Sequence, residues 1–133
     1  MYNNILADIE EVFASAGWLA NSIEVYPDNY QGTINNDNEF CRLSVLPSSS
    51  ENSVYGGAKT VEGLVILKIF VKAGDGQARL MAISDILDIN LVNKRLTNGT
   101  ELSTSYLNVE GLDPSNKSLY SARYIIPFTL YGE

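Results

Sequence analysis

The run VEGLVILKIFVKA, Val61 to Ala73, is the segment that most constrains what this chain can fold into. Val61, Val65, Leu67, Ile69 and Val71 fall on one face at the two-residue period of a strand, and Leu64, Ile66 and Phe70 fall on the other. Apolar side chains on both faces predict a central strand covered on much of both sides, with Lys68 and Lys72 marking the more polar face. Gly63 interrupts the run early, where it marks a bulge or a close backbone approach.

Other segments supply the partners. In Phe40 to Leu46, Cys41, Leu43 and Val45 point one way and Arg42 and Ser44 the other. In Leu119 to Tyr131, Tyr120, Ala122, Tyr124, Ile126, Phe128 and Leu130 share a face opposite Ser121, Arg123 and Thr129. Pro127 lacks an amide donor, which places this strand at an edge or a bulge. NSIEVYP reads as a short strand closed by Pro27, and Tyr106 to Glu110 as another. Residues 2 to 17 predict a helix, with Ile5, Ile9, Val12, Phe13 and Ala16 on a stripe, Asp8, Glu10 and Glu11 off it, and Gly17 as its stop.

A second helix is predicted from Gln77 to about Ile89, with Leu80, Ile83 and Leu87 and the overlapping Ala82, Ile86 and Ile89 forming a broad apolar face. Asp85 and Asp88 mark its wetter side. DNYQGTINNDNEF, NKRLTNGTELS and GLDPSNKS read as loops and turns. The order of helix, strands, helix and strands gives an α+β fold, a mixed or antiparallel sheet with two main helices packed on one face. At 133 residues, one domain with one core is expected.

Residues 47–60, PSSSENSVYGGAKT, hold four serines and two glycines in fourteen residues. Such a stretch buries too little apolar area to offset ordering entropy, so it reads as a mobile loop or an arm ordered by a partner. Loops of this length are often functional, although a tolerated floppy hairpin fits equally well.

Composition excludes much chemistry. The chain has no histidine, which rules out serine and cysteine triads and histidine metal sites. Gly74 and Gly76, between the central strand and the second helix, are followed by Gln77 and Ala78 where a phosphate loop needs lysine and a hydroxyl, and Arg79 stands where a dinucleotide fingerprint needs its third glycine. Asp75 therefore reads as a helix cap and the glycines as turn residues. Glu10 with Glu11 and Asp85 with Asp88 read as solvated surface, and NNDNE, residues 35–39, as a loop with weak cation-site character.

Cys41 sits on a strand and reads as a small core side chain. A net charge of -7 without a basic cluster argues against direct duplex binding, yet suits the wall of a passage that DNA slides through. The first residues lack the pattern of a signal peptide, no apolar run reaches the roughly 20 residues of a membrane span, and a soluble protein is expected. Among the eight tyrosines, Tyr26, Tyr30 and Tyr55 flank turns and suit an interface, whereas Tyr120 and Tyr124 suit the sheet.

The opening amphipathic helix, CRLSVLPSSS leading into the Ser/Gly-rich excursion, VEGLVILKIFVKAGDGQARLMAISDIL and the final Tyr-x-Ala-x-Tyr-x-Ile-Pro-Phe strand together resemble the tail terminator proteins of long-tailed phages, of the lambda minor tail protein U type. The resemblance covers nearly the whole chain and carries no catalytic signature. It implies a structural virion protein, not an enzyme and without cofactors, assembled in the host cytoplasm. Such a subunit forms a hexameric ring on the head-proximal end of the tail tube, stops tube polymerisation and offers a surface to the head-tail connector protein. DNA would pass through the lumen without specific binding. On this reading Ser48, Ser49, Ser50, Tyr55 and Lys59 in the arm, with Tyr26 and Tyr30, are candidates for contact with the tube protein or a neighbouring subunit. Arg79 and Arg123 are candidates for salt bridges around the ring. A head-tail connector or neck completion protein shares this outline, and a small ligand-binding domain built on a carboxylate pocket is the other alternative.

Overall fold

The computed structural model describes residues 2–21, 23–27, 39–52, 59–74, 76–112 and 119–131. In chain order the elements are α1 (Tyr2–Ala14), α2 (Ala16–Leu19), β1 (Glu24–Pro27), β2 (Phe40–Asn52), β3 (Lys59–Lys72), α3 (Gly76–Leu91), β4 (Thr100–Leu102), β5 (Tyr106–Leu112) and β6 (Leu119–Tyr131). One mixed six-stranded sheet runs β1-β2-β3-β6-β4, with β5 following β4 along the same edge of β6. Only the β1–β2 pair is parallel. The α+β architecture is thus the expected one.

Strand β3 is central. It pairs with β2 on one side and, from Thr60↔Tyr131 to Lys72↔Leu119, with β6 on the other. Its residues Val61, Val65, Leu67, Ile69 and Val71 are fully buried beside Cys41 and Leu43 of β2 and Ala122, Tyr124, Ile126 and Phe128 of β6. Ile5 and Ile9 of α1 and Leu80, Ile83, Leu87 and Leu91 of α3 join the same core, so both long helices cover one face of the sheet. Among the described residues no helix covers the other face at Leu64, Ile66 and Lys68, which are half-buried. Among them, coverage on both sides, expected from the apolar pattern, holds at the end near Phe70, which stacks on Phe40 at 4.7 Å.

Several local expectations need correcting. The first helix breaks at Ser15, whose hydroxyl donates to the Val12 carbonyl at 2.7 Å and accepts the Trp18 amide, starting α2 anew. Gly17 lies inside α2 and stops nothing. The serine-rich stretch is strand from Pro47 to Asn52, because Ser49 to Asn52 find ladder partners in Glu62 to Lys59; main-chain pairing does not depend on apolar side chains. Residues 53–58 of that stretch lie outside the described residues.

Gly63 is a close approach, as expected. A Cβ there would lie 2.3 Å from the Leu46 carbonyl oxygen and 2.8 Å from the Phe128 ring, beside the register shift between Pro47 and Ser49. Pro127 sits on an interior strand instead of an edge, paired with Leu64 on one side and facing the gap between β4 and β5 on the other. Its carbonyl accepts the Ser103 amide across that gap at 3.0 Å. In extended backbone the missing amide would point the same way as that carbonyl, so the proline falls where the ladder is already interrupted.

The turn region read from NKRLTNGTELS contains β4, held by a carboxylate from α1. Asp8, expected off the apolar stripe, is buried and accepts the Asn98 amide at 2.9 Å, the Thr100 amide at 3.4 Å and the Thr100 hydroxyl at 2.7 Å. Glu11, one turn on, accepts the Thr97 hydroxyl. Asp88 of α3 does the corresponding work for the β4–β5 gap, accepting the Ser105 and Tyr124 hydroxyls at 2.6 Å each. Each long helix is therefore tied to the far edge of the sheet by an aspartate.

Candidate interaction surface

The uncovered face of the sheet is built by strand alternation, which sends every second side chain of β2, β3, β6 and β5 away from the helices. Register turns these into rows. Ser44, Ile66, Ile125 and Tyr106 form one, and Leu46, Leu64 and Pro127 the next. Leu46 is 48% exposed and Tyr106 54% exposed, and the apolar side chains between them are half-buried. An apolar patch spanning four strands with polar groups beside it is the kind of surface on which proteins meet partners.

Beside these rows runs a third, Arg42, Lys68, Arg123 and Asn108. Arg42 stands directly opposite Lys68, and Lys68 directly opposite Arg123, an arrangement in which like charges repel. Glu110, the extra residue at the register shift between Val109 and Gly111, sits among them, 3.8 Å from the Lys68 ammonium and 3.4 Å from the Arg123 guanidinium. Lys68 also lies 5.3 Å from the centroid of the Phe70 ring. One carboxylate thus serves two cations of the row, Lys68 and Arg123.

A second feature lies at the β1 edge. Strand β1 covers β2 only from Phe40 to Leu43, so from Ser44 onward that edge of β2 has no strand partner among the described residues. Beside it, between α1 and the sheet, Leu6, Phe13, Val25, Leu43, Val45 and Pro47 line a groove of about 600 Å³. Pro47, lacking an amide, blunts that edge against strand addition.

The residues singled out from the sequence scatter over the molecule. Tyr26 is half-buried on β1, its hydroxyl donating to Glu24 and its ring edge-on to Phe40. Ser48 is exposed and donates to the Glu62 carbonyl at 3.3 Å. Ser49 and Ser50 pair with Glu62 and Val61, and Lys59 with Asn52, at the far end of the β2–β3 hairpin. Tyr30 and Tyr55 lie outside the described residues, as do Asp75 and residues 35–38 of NNDNE. Arg79 is engaged within the chain, its Nε and Nη2 each donating to a Glu39 carboxylate oxygen at 2.6 Å. Of these, Arg123 and Tyr26, the latter in register with Arg42, lie on the side of the sheet away from the helices. Arg42, Lys68 and Glu110 were not singled out, since only strand register brings them to Arg123.

The buried titratable groups are structural. Burial, with a smaller contribution from the Glu39 charge, pushes the Cys41 thiol up to about 12, which leaves it inert. Burial first, and then the hydrogen bond to Asp88, push the Tyr124 hydroxyl above its ordinary value.

No family model and no curated protein matches the chain. A solved structure is similar to it, with a TM-score of 0.69 at 14% identity, over 100% of this chain and 96% of that chain. At that identity the likeness extends to the fold and carries no function.

Proposed function

We propose that this chain is a structural virion protein, the tail terminator of a long-tailed phage. Copies form a ring, hexameric in the family it resembles, on the last ring of the tail tube. The ring stops tube growth, offers its other side to the head-tail connector and lets DNA pass without specific binding. The observation that carries this reading is the half-covered sheet: helices bury one face, while apolar rows from Leu46 to Tyr106 remain on the other. Apolar area left on a flat face is stabilised by association at about 25 cal/mol per Å² removed from water. A subunit that completes itself in an assembly has that form, and the whole-chain resemblance supplies the kind of assembly.

Solution mass by light scattering, with and without purified tail tubes and at low and moderate salt, tests the reading. A ring, alone or only on tube ends, is the expected result. A monomer indifferent to tubes would overturn it, and binding to a capsid portal instead would make the chain a neck protein.

A further inference from the structure

We propose that Asn98 is a deamidation site that the Asp8 carboxylate holds shut, and that its conversion keeps β4 from docking again on α1. Asn98-Gly99 is the only Asn-Gly pair in the chain. In such a pair the backbone nitrogen of the glycine can attack the side-chain carbonyl carbon of the asparagine, because glycine puts no Cβ in the way. The Gly99 nitrogen gives its proton to solvent and bonds to Cγ of Asn98, and the side-chain nitrogen leaves as ammonia. Water then opens the cyclic imide at either carbonyl. One opening leaves aspartate, and the other leaves isoaspartate, whose main chain runs through the former side chain.

The fold withholds the conformation this step needs. The Gly99 amide donates to the Leu96 carbonyl at 2.9 Å, which engages the nucleophile and closes a turn over Thr97 and Asn98. In such a turn the residue at Asn98's place has ψ of about 0°, which turns the next nitrogen away from the side chain. Attack on Cγ therefore requires rotation at Asn98, and the bonds on either side resist it. The Asn98 amide donates to Oδ1 of Asp8 at 2.9 Å, and the Thr100 hydroxyl and amide donate to Oδ2 at 2.7 and 3.4 Å. Asp8 is buried and rooted in α1, so one fixed carboxylate grips both ends of the Asn-Gly pair. The Asn98 side chain itself is exposed. Access to water is thus given, and opening of the turn is the controlling event.

Conversion makes that opening last. Isoaspartate adds a methylene to the main chain between the Asn98 and Gly99 positions, so the donors at 98 and 100 no longer match the two oxygens of Asp8. Either product also adds a negative charge to a turn that Asp8 and Glu11 already approach. Loss of the turn frees β6 from Phe128 to Leu130, the residues that β4 pairs.

Peptide mass spectrometry, with enzymatic methylation specific for isoaspartate, follows conversion at Asn98 in mildly alkaline buffer, and circular dichroism checks folding. The folded protein is expected to convert at least about tenfold more slowly than the same chain in concentrated urea. Asp8→Ala is expected to raise the folded rate by about tenfold and Thr100→Val, which removes one hydroxyl donor at little change in size, by about threefold. Should Asp8→Ala fail to fold, Thr100→Val and the unaltered protein in low urea decide, since conversion is expected to quicken before global unfolding. Conversion as fast in the folded protein as in urea, or folded variants no faster than the unaltered protein, would overturn the guard. The purified isoaspartate form is expected to exchange its β4 amides early while β3 stays protected, and normal protection of β4 would overturn the lasting release.

Discussion

Two faces of the same strand, β3, differ more than its composition suggests. Leu67 and Ile69 are fully buried under α1 and α3, whereas Ile66 and Leu64, their sequence neighbours, are half in water. Both sets are aliphatic and both lie in register with apolar residues on β6. What separates them is only whether a helix of the same chain lies above. The inner face explains how the chain folds, and the outer face is where the account places its partners.

The sharpest way to break this comparison is to truncate neighbours. Ile69→Ala should cost about 3 to 4 kcal/mol by opening a core cavity, and Ile66→Ala about 1 kcal/mol, both read from urea unfolding. Equal losses would mean that the two faces are equally packed. Gly63→Ala should cost about 3 kcal/mol, because the new Cβ meets the Leu46 carbonyl, a backbone atom that cannot turn away. Asp8→Ala should cost about 2 to 3 kcal/mol by stranding the donors of Asn98 and Thr100. Its signature is early hydrogen exchange in β4 ahead of global unfolding.

The smallest effect is one of pH. Tyr124 and Cys41 hold their protons in the folded state beyond their ordinary values of 10.0 and 9.0, so the unfolded chain ionises first. Their contribution to stability is therefore complete below about pH 9 and is lost as pH rises from there toward the raised folded values. Tyr124→Phe should cost about 1 kcal/mol near neutrality through the bond to Asp88 and make the decline above pH 10 shallower. A parallel decline in the variant would place the alkaline sensitivity elsewhere.

Much of the fold was legible because alternation reports faces directly: the inward sets of β2, β3 and β6 match the periodicity residue for residue. Alternation cannot report what covers a face, which is why β3 read as covered on much of both sides. Composition misled where the main chain does the holding, as in Pro47 to Asn52, and charge misled where a carboxylate meets donors distant in sequence, as Asp8 meets Asn98 and Thr100. The interaction surface was hardest to see. Arg42, Lys68, Glu110 and Arg123 are scattered along the sequence and meet only through strand register and the irregularity at Glu110, neither of which leaves a local signal.

The most direct test of the open face is the solution mass of Ile66→Lys beside the unaltered protein, with tail tubes present and absent. A lysine at a half-buried site can extend its stem over the sheet and hold its charge in water, so unfolding free energy should stay within about 1 kcal/mol. The variant is expected to fold, stay monomeric and fail to cap tubes while the unaltered protein forms rings. Rings of normal mass from Ile66→Lys would show that the open face is not where this protein meets its partners.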